Sequence, residues 1–181
     1  MYFIALVLPE ELNKKVLHWK NFMRERYDCK VGLRSPAHIT FVPPFWMEEE
    51  RETFLLNYID RIAIATAPFI IKTKNFSAFK PRTIFIDVEK TKELDNLKKA
   101  TDIFFRKNSA YEMKIEGSSF HPHITIATRD LFKKNFYECW SVFAREEFLE
   151  QWEARSLAVL RHNKKNWDVI HTSQFAGEIS N

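Results

Sequence analysis

The tripeptide His-Ile-Thr occurs twice in this chain, at His38–Thr40 within AHITFV and at His123–Thr125 within PHITIA, 85 positions apart (123 − 38) in 181. Each copy sits in a short run of β-branched and aromatic residues, the composition of a β-strand. A spacing close to half the chain predicts a duplicated unit with one motif-bearing strand in each copy. Side chains alternate along a strand, so His38 and Thr40 share one face while Ile39 takes the other. His123, Thr125 and Ile124 repeat the arrangement. An approximate two-fold between the units would bring two imidazoles and two hydroxyls around one small ligand.

The segments around the motifs carry the same repeat. YFIALVL (Tyr2–Leu8) reads as a strand, and Pro9 opens a helix with Glu10 and Glu11 in its first turn, where the helix dipole favours negative charge. Leu12, Val16, Trp19, Met23 and Tyr27 form the apolar stripe of that helix. Pro43-Pro44 closes the first motif strand, and a second helix runs through Leu55, Tyr58, Ile59 and Ile62. FIIKTKNF and TIFIDVE read as strands joined through a turn containing Lys80–Arg82, and Thr91 caps a third helix bearing Leu94, Leu97 and Thr101. After the second motif strand, Asp130 is placed to cap a fourth helix with Phe132, Phe136, Trp140 and Phe143. SLAVLRH and NWDVIHTSQF then flank the polar turn NKK.

The order is β-α-β-α-β followed by β-α-β-α-β-β. No Gly-, Ser- or Pro-rich linker divides it, so residues 1–181 are expected to form one two-lobed domain of the α+β class. Each lobe is a β-α-β-α-β unit with a mainly antiparallel sheet and one His-Ile-Thr. The lobes are set in pseudo-two-fold arrangement around a central cleft.

Composition narrows the function classes. Hydrophobic residues make up 45% of the chain, with 17 Phe and only three Gly, which excludes a disordered or low-complexity protein. A net charge of +4 and a pI near 9.0 favour anionic ligands without constituting a nucleic-acid signature. Cys29 and Cys139 lack metal-type or redox-type spacing and read as free thiols of a reducing compartment, so a cytoplasmic location is expected. The N-terminal apolar run has no basic n-region, and no run is long enough to span a bilayer, so no membrane partner is expected. Neither a P-loop nor a GxGxxG run is present, which leaves no support for a nucleotide-driven motor or a dinucleotide cofactor.

Two imidazoles titrating near neutrality can divide acid and base work, one taking a proton from a nucleophile and the other giving one to a leaving group. Threonine hydroxyls can donate to non-bridging phosphate oxygens as charge builds. Opening a 2′,3′-cyclic phosphate suits this arrangement, because nucleophile and leaving oxygen lie on opposite sides of phosphorus and no metal is required.

The paired HITF and HITI, together with YFIALVLP, FSAFKPRTIFIDVE and NWDVIHTSQF, resemble the 2H phosphoesterase superfamily of 2′-5′ RNA ligases and cyclic phosphodiesterases. The resemblance covers essentially the whole chain. It implies a two-lobed α/β fold, catalytic His38 and His123, and phosphate-binding Thr40 and Thr125. It also implies a metal-independent enzyme acting on a 2′,3′-cyclic phosphate or 2′-5′ phosphodiester of RNA or nucleotides. FVPPF after the first motif departs from the Gly-containing run of many relatives, which bears on specificity more than on chemistry.

Other residues are weaker candidates. Arg34, Lys80, Arg82, Arg129 and Arg161 lie near strand ends beside the motifs, where a phosphate contact is possible but a solvated charge is commoner. Phe41, Phe45 and Phe120 flank the motifs and could stack a base, although core packing accounts for them better. His121 forms an H-x-H with His123 that could hold a metal, but no third ligand stands at convincing spacing. The expectation is therefore no metal and no cofactor, with His121 supporting His123 or lining the cleft. The competing reading is an RNA-end-binding module with little or no turnover. The expected partner is RNA or a nucleotide carrying a cyclic phosphate, bound by a monomer.

Overall fold

The structure, a computed structural model, describes residues 1–107 and 120–177. Its elements are β1 (Tyr2–Val7), α1 (Glu10–Tyr27), a 3-10 turn (Val31–Arg34), β2 (His38–Phe45), α2 (Glu52–Ile64), β3 (Phe69–Phe79), β4 (Thr83–Val88), α3 (Lys92–Lys107), β5 (His123–Ala127), α4 (Lys133–Phe143), β6 (Gln151–Ala154), β7 (Ser156–His162) and β8 (Trp167–Gln174). Helix α1 begins straight after Pro9 with two glutamates in its first turn, and it ends where Asp28 turns left-handed at φ 55. Thr91 caps α3 as expected, its hydroxyl accepting the Leu94 N–H at 3.3 Å.

The strands form one sheet in the order β6-β3-β4-β5-β2-β1-β7-β8, and each pairing is antiparallel. The α+β class and the pseudo-two-fold expected from the sequence are the ones found. The repeat is β1-α1-β2-α2-β3 against β4-α3-β5-α4-β7, and the motif strands β2 and β5 are neighbours at the centre of the sheet. The last strand of each unit crosses over: β3 pairs with β4, and β7 pairs with β1. Each half of the sheet therefore holds strands from both halves of the sequence.

Alternation sorts the two faces. Ile4 and Leu6 of β1, Ile39 and Phe41 of β2, Ile84 and Ile86 of β4, Ile124 and Ile126 of β5 and Leu157 and Val159 of β7 join one core. The buried stripes of α1 (Val16, Met23), α2 (Leu55, Ile59), α3 (Leu94, Leu97) and α4 (Phe136, Phe143) belong to the same core. All four helices thus cover a single face. On the opposite face Phe3, Ala5, Ala158 and Leu160 form a small second cluster.

Three local expectations are corrected. Pro43 and Pro44 do not end β2, which continues to Phe45. Both prolines fall where the pairing with β1 shifts register, between Val42 opposite Ile4 and Phe45 opposite Tyr2, an irregularity in which the missing N–H groups are tolerated. Asp130 does not cap α4, whose N-cap is Phe132. It instead accepts the backbone N–H groups of Lys30 and Val31 at 2.5 and 2.7 Å, capping the 3-10 turn that precedes the first motif. Finally, β6 has only four residues, without a β-branched one, and is a strand because Phe69–Lys72 of β3 offers it an edge. No helix among the described residues is long and apolar enough to cross a membrane.

The 3-10 turn lies flush against β5: a Cβ added at Gly32 would stand 2.4 Å from the Ile126 carbonyl oxygen. That neighbour is strand backbone and cannot swing away. Gly32→Ala should therefore destabilise the fold by about 1–3 kcal/mol, the usual cost of overpacking, measured by urea unfolding.

Candidate active site

Strands β2 and β5 pair antiparallel at Ile39 opposite Ile124. Alternation about that pair sends His38, Thr40, His123 and Thr125 to the face opposite the two isoleucines. Ile39 and Ile124 are fully buried toward the helices, while His38, Thr40, His123 and Thr125 are all half-buried on the helix-free face. The duplicated motif thus makes a quartet of two imidazoles and two hydroxyls on one face of a single junction.

The two histidines are held alike. His38 Nδ1 lies 2.8 Å from the Pro36 carbonyl oxygen, and His123 Nδ1 lies 2.7 Å from that of His121. A carbonyl can only accept, so Nδ1 carries the hydrogen in both rings and Nε2 is the free nitrogen. A neutral ring in this tautomer presents a basic lone pair at Nε2. The protonated ring keeps the same carbonyl contact and presents an N–H there.

Their surroundings differ. His38 packs on Phe3 at 4.8 Å between ring centroids, and Trp167 meets Phe3 edge-on at 4.7 Å. His123 lies 5.2 Å from Phe79 and 4.9 Å from Phe85. Its cross-strand neighbour on β4 is Asp87. The Asp87 carboxylate meets His121 Nε2 at 3.0 Å and Lys74 Nζ at 3.4 Å. Burial, abetted by the charges of Lys20 and His123, pulls the His38 pKa down to about 4, against the opposing pull of the Pro36 carbonyl. Burial also lowers that of His123, where the His121 charge acts in the same sense and the His121 carbonyl and Asp87 act against it.

The remaining candidates fall around this quartet. Arg34 is exposed at the end of the 3-10 turn before β2, Arg129 is exposed just after β5, and Lys80 and Arg82 are exposed in the β3–β4 turn. A contact of 3.2 Å between the Thr83 and Thr128 hydroxyls ties that turn to the Arg129 end of β5. Antiparallel pairing therefore gathers these cations at one end of the central strands. Arg161 is engaged elsewhere, on Glu52 at 2.9 Å. His171 binds Asp60 at 2.7 Å and is structural. Phe41 and Phe45 are buried core residues, and Phe120 packs on Phe41. No cluster of three His, Cys, Asp or Glu groups able to hold a metal occurs among the described residues.

Sequence reasoning passed over Lys20, Asp87, Phe79 and Trp167. Two of them left a trace: Lys20 interrupts the apolar stripe of α1, and Asp87 is the one charge within TIFIDV. Phe79 and Trp167 reach the site only through strand pairing and had no local signal.

A mirrored pair of strand histidines, each with a threonine two residues on, defines a two-histidine site at the pseudo-dyad of an α+β fold. The sequence profile of the 2′-5′ RNA ligase superfamily matches residues 8–166, and the chain belongs to that family, the 2H phosphoesterases. A relative from Oceanobacillus iheyensis, named "Putative phosphoesterase", is 29% identical over 166 residues, covering 88% of this chain and 91% of its own. A protein of the same description from Geobacillus kaustophilus is 29% identical over 168 residues, covering 91% and 92%. Among solved structures, the Thermus thermophilus protein TT0787 superposes with a TM-score of 0.75 at 21% identity, over 98% of this chain and 99% of that one. Escherichia coli LigT complexed with 3′-AMP gives 0.68 at 15% identity, over 96% and 97%.

The lowered His38 pKa has a consequence for stability. The unfolded ring takes up its proton near pH 6.5 and the folded ring near 4, so the unfolded state binds more protons in between. The stabilisation is complete above pH 6.5 and is lost as pH falls through 4. Urea unfolding of wild-type and His38→Gln protein should show the wild-type slope between those values diminished in the variant; equal slopes would refute it.

Proposed function

We propose that this protein is a metal-independent phosphoesterase that acts on 2′,3′-cyclic phosphate or 2′-5′ phosphodiester bonds of RNA or nucleotides, with His38 and His123 as general acid and base. The mirrored quartet carries the reading: two imidazoles held alike through Nδ1 by a carbonyl two residues back, on one sheet face with two threonine hydroxyls. Membership of the 2′-5′ RNA ligase superfamily supports the reaction class. The likeness to a LigT structure solved with 3′-AMP supports a nucleotide as the bound group.

In hydrolysis of a cyclic phosphate, one neutral Nε2 takes a proton from water as the water oxygen bonds to phosphorus. The other imidazolium gives its Nε2 proton to the ribose oxygen as the P–O bond breaks. The product is a phosphomonoester, and the proton count is unchanged. Thr40 and Thr125 donate to the non-bridging oxygens, whose charge grows in the transition state. The Nδ1 contacts hold both rings in the required tautomer throughout. Arg34, Lys80 and Arg129, with His121 behind His123, are the proposed outer contacts of the substrate. The two half-sheets work as one two-lobed domain acting as a monomer. Cys29 and Cys139, both free and buried, fit a reducing cytoplasm.

The decisive experiment is a panel of cyclic mononucleotides, RNAs ending in cyclic phosphate and ADP-ribose cyclic phosphate, with products resolved by position. Turnover should persist after exhaustive chelation and follow a bell-shaped pH profile belonging to the pair. His38→Ala and His123→Ala should each lower it about 10²–10⁴-fold. Thr40→Ala and Thr125→Ala should be milder and keep the bell. If both histidine variants retained near-parental turnover, or the panel were bound but never turned over, the RNA-end-binding reading would replace this one.

A further inference from the structure

Among the described residues one charged side chain lies inside the core without an acidic partner. Lys20 belongs to the buried stripe of α1, between Val16 and Met23, and only 4% of it is exposed. Its hydrogen-bond partner is the Ser35 carbonyl oxygen, 3.1 Å from Nζ. The next carbonyl along the chain is that of Pro36, which receives His38 Nδ1–H. Asn13, on the same helix α1, accepts the Ala37 N–H at 2.8 Å. The far end of the segment is fixed by Asp130 on Lys30 and Val31 and by Gly32 on β5.

We infer that Lys20 is a positioning residue for His38: its ammonium grips the Ser35 carbonyl from inside the core and thereby aims the Pro36 carbonyl at His38 Nδ1. The inference rests on the reading of His38 as an acid–base group. Among the described residues nothing equivalent stands behind His123, whose own carbonyl partner belongs to His121 and whose neighbouring charges are His121 and Asp87.

The ammonium does a second thing. The charged groups acting on His38 are Lys20 from α1 and His123 from β5, both positive when protonated, and no carboxylate offsets them among the described residues. Burial is the main cause that keeps His38 neutral, and the Lys20 charge acts in the same sense. Burial lowers the pKa of Lys20 itself to about 8, so it remains mostly charged at neutral pH.

The test is a pH titration of ¹⁵N-labelled protein by long-range ¹H–¹⁵N correlation, comparing wild type, Lys20→Met and Lys20→Arg, without substrate. Wild-type His38 should show a single Nδ1–H tautomer and titrate well below the ordinary histidine range. In Lys20→Met both tautomers of His38 should appear, while His123 changes little. Lys20→Arg, which keeps charge and donor, should restore the wild-type behaviour. A folded Lys20→Met protein in which His38 keeps the single Nδ1–H tautomer overturns the inference. Should that variant fail to fold, the wild type still decides: His38 ring shifts must step as Lys20 loses its proton near pH 8, and a flat response there overturns it equally. Failure of the catalytic reading would show itself separately, as turnover retained in His38→Ala.

Discussion

Strands β2 and β5 meet at one residue pair, Ile39 opposite Ile124, and the rest of the architecture is organised by that junction. Both isoleucines are fully buried beneath the helices, each contributing about 1.5–3 kcal/mol by removal from water. A slip of one residue in either strand would turn a histidine and a threonine into the core and an isoleucine out of it. The hydrophobic effect on one face therefore fixes the polar geometry on the other. Catalytic-type side chains need no device of their own to choose a face, because the residues between them have chosen already.

A symmetric scaffold does not make a symmetric site. The backbone treats His38 and His123 identically, down to the carbonyl two residues back. What lies behind each ring differs: Lys20 in the core on one side, Asp87 with His121 and Lys74 on the other. Acid–base chemistry between two like groups requires that their proton affinities part. The fold shares its backbone geometry between the two rings, while burial first and the neighbouring charges second set their proton affinities.

Much of this was legible in the sequence because it is written in local periodicity. The stripe of α1 at Leu12, Val16, Met23 and Tyr27, the Thr91 cap and the alternation of both His-Ile-Thr strands depend on neighbours within a few positions. Lys20 was overlooked because a lysine on a helix is ordinarily a surface residue, and only the packing of α1 against the 3-10 turn encloses it. Asp130 looked like a cap for the helix after it. Its true partners, Lys30 and Val31, lie about a hundred residues earlier, a relation no local pattern carries. Residues 151–154 became a strand through an edge made by β3, and Pro43-Pro44 stayed in one because the pairing with β1 shifts register there.

The crossing of β3 and β7 also bears on how such a protein comes into being. Cut between β3 and β4, the first repeat would lack the β4 partner of β3 and the β7 partner of β1; the second repeat would lose the reciprocal pairings. Neither is a free-standing sheet. Because β1 waits for β7, the polypeptide must span more than a hundred and fifty residues before its first strand acquires both neighbours, and long loops of that kind fold slowly.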